Sequence, residues 1–275
     1  MMDPLIGTQG WYGRLPADDR SARIGLIIPS SNRNVERELV PICPASVSPH
    51  IARVRLRGLP QAELLPAISE AARSLGDAFC DPIVFNCTAS SMETTPEANG
   101  EIIRTIESAA SCSAMTTGSA LLDAVATLAV TGRALRIGLL TPYSAAVTAR
   151  QEAFLTACGI EVVSSRALDL NRFPDYAYLP SVFWHQELHM FERDGCDAIL
   201  LSCANIRVLD IVERAEGELG IPLLTSNQAV LWSSLRRAGF NAPIEGIGAL
   251  GSRQALQPAG PAGRAHVGPQ GTSGQ

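Results

Sequence analysis

The sequence predicts an α/β protein made of two duplicated halves, each a βαβα unit with a parallel sheet. Short β-branched runs alternate with stretches at helical spacing throughout. The run RIGLIIPSS at 23 to 31 returns as RIGLLTPYS at 136 to 144, an offset of 136 minus 23, or 113 residues. Two apolar runs each end at a cysteine, IVFNCTASS at 83 to 91 and ILLSCANI at 199 to 206, and Cys87 and Cys203 lie 203 minus 87, or 116, apart. Two features recurring at nearly one offset mark a duplication. Parallel sheets hold their ligands at the carboxyl ends of the strands, which is where both cysteines fall.

Residues 1–20, rich in Gly, Pro and Asp, read as an N-terminal extension. Arg23 to Pro29 reads as a strand buried on both faces, ending in the polar loop Ser30-Ser31-Asn32. A helix is expected from Val35 toward Pro41, a strand over His50 to Leu56, and a helix over Gln61 to Gly76, where Leu64, Leu65, Ile68, Ala71, Ala72 and Leu75 share one face. The Cys87 strand follows, then a helix over Pro96 to Ala110, a strand or loop over Ser111 to Gly118 and a helix over Ser119 to Leu128. After the restart at Arg136, strands are expected at Ile160 to Ser164, Ala198 to Cys203 and Pro222 to Thr225. Helices are expected over Ser181 to Arg193, over Ile206 to Leu219 with Gly220 as the stop, and from Ser226-Asn227 to Gly239. From Ser252 the chain has almost no large apolar residues and reads as a disordered tail, 252–275.

Composition excludes several function classes. A net charge of -5 offers no basic field for a phosphate backbone, so nucleic acid is not an expected partner. No secretory signal and no long apolar window are present, so no membrane is expected and a cytoplasmic location is. All 22 basic residues are arginine. Without lysine there is no Schiff base, no pyridoxal phosphate aldimine and no P-loop. Seven cysteines, an odd number without C-x-x-C spacing, read as reduced thiols, not as a disulfide framework or a zinc site.

Two motifs carry less than their letters promise. Gly246 to Gly251 matches G-x-G-x-x-G, but no helix and strand follow it, so it reads as a loop. His185 and His189 sit four apart on an expected helix and face one side, yet the sequence offers no third ligand, so they read as surface histidines and the metal expectation is none.

The cysteine pair carries the chemistry. Cys43, Cys80, Cys112, Cys158 and Cys196 read as packed thiols. Cys87 and Cys203 each end an apolar strand where a helix N-terminus is expected, and such a terminus favours thiolate. Two thiols across one pocket suit acid–base or covalent chemistry beside a carboxylate, with their pKa values pushed apart. Asn32, Thr88, Ser90, Tyr143, Asn205, Thr225 and Ser226 are the polar groups at the strand ends that could hold the developing enolate, with Ser31 and Ala204 beside them. No cofactor is required.

The segments GLIIPSSN (25–32), NCTASS (86–91), LLTPYSAAVT (139–148), LLSCANIRVLD (200–210) and LLTSNQAVLW (223–232) resemble the aspartate/glutamate racemase superfamily. Within it they are most similar to the maleate cis-trans isomerase group, and around TSNQA to ectoine-utilisation proteins. The resemblance implies two similar Rossmann-like domains related by pseudo-two-fold symmetry, with the active site in the cleft between them, commonly as a homodimer. It places the first domain at 21–118 plus 228–251 and the second at 119–227. It also implies that Cys87 adds to the double bond of maleate, that Cys203 handles a proton or assists the adduct, and that Asn32, Tyr143 and Asn171 hold the substrate. Arg33 and Asn34 stand where small hydroxylated residues are expected. The same thiol pair would also serve a two-base racemase of an amino acid or hydantoin-like substrate. An arylmalonate-type decarboxylase is disfavoured, because that branch is expected to keep one cysteine only. A non-catalytic small-molecule binding module, with both thiols structural, is the remaining alternative.

Overall fold

The computed structural model describes residues 22–56, 59, 61–92, 95–129, 132–170 and 176–254. The first half runs β1 (Ala22–Pro29), α1 (Val35–Leu39), β2 (Val47–Val54), α2 (Gln61–Asp77), β3 (Ile83–Phe85), α3 (Thr88–Met92), α4 (Pro96–Ala110), β4 (Ala114–Thr116) and α5 (Thr117–Ala126). The second runs β5 (Arg136–Thr141), α6 (Ala145–Ala157), β6 (Glu161–Ala167), α7 (Ser181–His189), β7 (Ala198–Leu201), α8 (Val212–Leu219), β8 (Leu223–Thr225) and α9 (Ser226–Arg237). The strands form two four-stranded sheets, ordered β2-β1-β3-β4 and β6-β5-β7-β8, with every pairing parallel. In each sheet the chain leaves the first strand toward one edge and returns on its other side. The crevices at the ends of β1/β3 and β5/β7 are therefore switch points, where ligands of parallel sheets bind.

The repeat has a packing cause. Ile24 to Ile28 are buried without interruption, as a strand covered on both faces requires. Ile24, Leu26 and Ile28 point into a core shared with the second half, while Ile27 joins Ile68, Phe85, Ile102 and Ile106 under α2 and α4. Gly25 and Gly138, 138 minus 25 or 113 apart, sit where a Cβ would come within 2.9 Å of Ile83 and 2.4 Å of Phe191 respectively. The shared RIG is thus a close-approach glycine in the central strand of each sheet.

The sequence did not announce α6, although Ser144 caps it by accepting from the Val147 N–H, nor the one-turn α3. The helix expected from Ile206 begins only at Val212, after a 3-10 turn at Leu209–Ile211, and α7 stops at His189 rather than Arg193. The G-x-G-x-x-G run ends in a 3-10 turn at Gly248–Ser252, and the Ile247 carbonyl accepts from Gln228. Helix α9 is buried from Ser226 to Arg236 and lies against both α1 and α5. Arg236 donates to the carbonyls of Phe240, Ala242, Gly251 and Arg253, so the segment after α9 wraps around one buried guanidinium. The expected tail therefore begins later than Ser252 suggests, since Arg253 is held by these bonds. Residues 255–275, the extension 1–20 and Asn171 lie outside the described residues. Among those described, no helix is long and apolar enough to cross a membrane.

Candidate active site

Four strand ends meet at one cavity of about 270 Å³. From the first half, Ser31 and Asn32 follow β1, and Asn86, Cys87, Thr88 and Ser90 follow β3. From the second, Tyr143 follows β5, Ala204 and Asn205 follow β7, and Tyr176 closes one side with its ring edge-on to Tyr143 at 6.0 Å. The volume suits a small acid, being below that of pockets for drug-sized ligands.

Cys87 is half-buried and precedes α3. Its thiol donates to Ser90 Oγ at 3.2 Å, one turn along. Asn32 acts both locally and at long range. Its Oδ1 accepts from the Asn34 and Val35 N–H groups, starting α1, and its Nδ2 donates to the Ala204 carbonyl at 3.0 Å. That last bond fixes the Cys203 loop to the first half.

Cys203 is different in kind. It is 2% exposed and does not line the cavity, lying instead behind Tyr143 and Asn205. Burial pushes its thiol up to about 12, against the opposing pull of the Tyr143 hydroxyl and the Asn205 N–H, the latter at 3.3 Å from sulfur. The expectation of a helix N-terminus after this cysteine is overturned: a turn follows, and no helix dipole offsets the desolvation. Cys203 is therefore a thiol at neutral pH. Burial and the nearby Cys203 thiol likewise raise Tyr143 well above its ordinary value, keeping its hydroxyl protonated.

Thr225 and Ser226 stand one layer back. Thr225 caps α9 in a reciprocal arrangement with Gln228, and Ser226 accepts from the Thr88 hydroxyl at 2.9 Å. Sequence reasoning missed the rest of this layer. Asn86 bridges Thr117 and Asn227. Glu38, fully buried on α1, accepts from Asn227 Nδ2 at 2.6 Å and from the Val208 and Leu209 N–H groups. Desolvation raises its carboxyl to about 7, although those three donors pull the other way and Asp210 adds repulsion. Nothing in sequence spacing marks Glu38.

The two departures from the expected hydroxylated residues take separate roles. Arg33 is exposed, does not line the cavity, and stacks over Tyr178 at 4.4 Å. Asn34 is fully buried and donates to the carbonyls of Ala177 and Asn205. The five remaining cysteines are all raised chiefly by burial, with Cys43, Cys80 and Cys112 at about 11, as inert packed thiols are.

The family model described as Amdase, arylmalonate decarboxylase, matches residues 24–251. The maleate isomerase of Nocardia farcinica is 31% identical over 241 residues, spanning 83% of this chain and 94% of that protein. A solved structure of the Nocardia farcinica maleate cis-trans isomerase, a cysteine-to-serine mutant with a covalently bound succinylcysteine intermediate, superposes with a TM-score of 0.73. It is 26% identical and covers 83% of this chain and 97% of that one. Unliganded arylmalonate decarboxylase, 23% identical, shares the fold with a TM-score of 0.74 over 85% of this chain and all of that one.

Proposed function

The chain belongs to the arylmalonate decarboxylase family, and we propose that within it this protein is a cofactor-independent isomerase that converts maleate, or a similarly small cis-diacid, to its trans isomer through a Cys87 adduct. The carrying observation is the asymmetry of the thiol pair: Cys87 borders a cavity sized for a small acid, while Cys203 is a buried thiol hydrogen-bonded to Tyr143 just behind it. A decarboxylase of this family is expected to manage with one cysteine.

In the proposed sequence the Cys87 thiolate adds to one olefinic carbon. The π electrons move to the neighbouring carbon and its carboxylate as an enolate. The former double bond, now single, rotates. The enolate collapses, the double bond re-forms and the thiolate leaves, so no atom or electron is gained or lost. Cys203 holds its proton behind Tyr143, to which it is hydrogen-bonded, and Tyr143, Asn32, Ser31, Ser90 and Asn205 supply neutral polar groups around the carboxylates. Thr88 and Ser226 hold the cleft together behind them. Asn171 completes the proposed substrate-binding set, and Thr225 supports it from one layer back by capping α9. We read the domains as 21–118 plus 228–251 and 119–227; α9 packs on α1 of the first and on α5 of the second, so it lies across the boundary. A reducing cytoplasm fits seven cysteines that form no disulfide, and a homodimer is part of the proposal by resemblance.

The test is incubation with maleate, with an arylmalonate and single-enantiomer amino acids run alongside in deuterated water. Fumarate from maleate supports the reading. Carbon dioxide from the arylmalonate, or deuterium at an α-carbon without any fumarate, overturns it.

A further inference from the structure

The histidines at i and i+4 on α7 acquire in the fold what their sequence lacked. Glu218, near the end of α8, brings its Oε2 to 2.7 Å from His185 Nε2 and 2.8 Å from His189 Nε2. The three candidate ligand atoms lie within 4.8 Å of one another, and the two imidazoles are 4.6 Å apart between centroids. We infer that His185, His189 and Glu218 form a binding site for one zinc-type divalent cation, clasping α7 to α8 on the outer side of the second sheet.

The ligand chemistry fits. Two imidazoles and a carboxylate are a set that zinc and its neighbours prefer, with a fourth position left for water. Ligands at metal distance sit a little over ~3 Å apart, so Glu218 Oε2 would draw back slightly from both rings, and the two ring nitrogens, within 4.8 Å of one another, would be brought to that spacing by side-chain rotation. The scaffold is rigid. Trp184 and Leu188 bury the adjacent face of α7, and Val212, Ala215 and Leu219 that of α8. Ser181 donates to Asp210 at 2.8 Å, tying the start of α7 to the turn before α8. Arg214 donates to the other carboxylate oxygen of Glu218 at 2.7 Å, which orients Oε2 toward the histidines as an outer partner orients a metal ligand. Its positive charge opposes the cation, but its side chain is 69% exposed and water screens it. His185 is nearly covered and His189 and Glu218 half-exposed, so an ion has a route in.

None of these residues lines the cysteine cavity, so the site does not depend on the isomerase reading. The experiment is a Co²⁺ titration of the full, untagged chain, read by visible d–d absorption, with a Zn²⁺ competition and a melting curve in each metal. We expect one equivalent bound, displaced by Zn²⁺, no thiolate charge-transfer band, and a higher Tm with Zn²⁺. His185→Gln, His189→Gln and Glu218→Gln should each weaken binding at least tenfold and remove the Tm increase, with the circular dichroism and basal turnover of wild type retained. Binding only in the millimolar range, a thiolate band, or variants that bind as well as wild type would each overturn the assignment.

Discussion

The two strand ends that carry Cys87 and Cys203 hold equivalent places in the two sheets and are unlike. Both follow the strand next to the central one in sheets of identical order. After Cys87 the chain turns at once into α3 and leaves the sulfur at the cavity wall. After Cys203 it makes a turn pinned by Asn32, Asn34 and Glu38 from the first half, and the sulfur is buried. The residues just beyond each strand, not the strand itself, decide which thiol borders the cavity and which is buried. The proposed division into a nucleophile and a proton-holding partner rests on this difference in the few residues that follow each strand.

Removing each sulfur in turn tests the two roles. Cys87→Ser should lower maleate turnover by at least about a thousandfold, as loss of a nucleophile does, with unchanged circular dichroism. Cys203→Ser should also lose turnover but still accumulate a maleate adduct on Cys87, seen as an intact-mass increase of one substrate. An adduct in Cys87→Ser, or none in Cys203→Ser, would reverse the assignment.

A milder probe needs no mutation. With Cys203 at about 12, its thiolate fraction at pH 7 is on the order of 10⁻⁵, and only thiolate is alkylated. Iodoacetamide followed by peptide mapping should label Cys87 first and leave Cys203 unmodified until the chain is unfolded. Equal labelling of the two would mean that burial does not separate them.

The sequence disclosed the strands and both cysteines because each rests on local pattern: buried β-branched runs, a repeat with a close-approach glycine, polar residues at strand ends. The same local reading placed Ser31, Asn32, Thr88, Ser90, Tyr143, Ala204 and Asn205 near a strand end, and all seven border the cavity. What it could not disclose depends on contacts across 140 residues or more. Glu38 meets Val208, Leu209 and Asn227, and Asn34 meets Ala177 and Asn205. Glu218 reaches His185 from another helix across a shorter span, 33 residues, which the local pattern does not show either. The false helix start at Ile206 has the same origin, because α1 claims the Val208 and Leu209 N–H groups through Glu38 before a helix can form there.

Glu38 offers the next test, on the loop that buries Cys203. Its folded value of about 7 lies above the ordinary 4.5, so between those pH values the native state binds more protons than the unfolded chain. The stability it contributes is fully present below pH 4.5 and is lost as pH rises through 7, by on the order of 3 kcal/mol. Glu38→Gln cannot ionise. Urea unfolding of both proteins from pH 4.5 to 8 should show wild type losing stability relative to the variant as pH rises. A difference that does not change with pH would mean that the carboxyl is not held as described.

The smallest expected effect lies in the bond that joins the halves beneath Cys87. Thr88 and Ser226 are both buried and 2.9 Å apart. Thr88→Val keeps the shape but strands the Ser226 hydroxyl, and Ser226→Ala strands Thr88, each at about 1–3 kcal/mol. Removing both leaves no orphan, so the double variant should be less destabilised than the sum by about 1 kcal/mol in a urea-unfolding cycle. Simple additivity would mean that each hydroxyl finds another partner and that this bond does not join the halves. Coupling together with impaired turnover in Thr88→Val, with Ser226→Ala close to wild-type activity, would divide the roles of Thr88: one bond for the cleft, one face for the substrate.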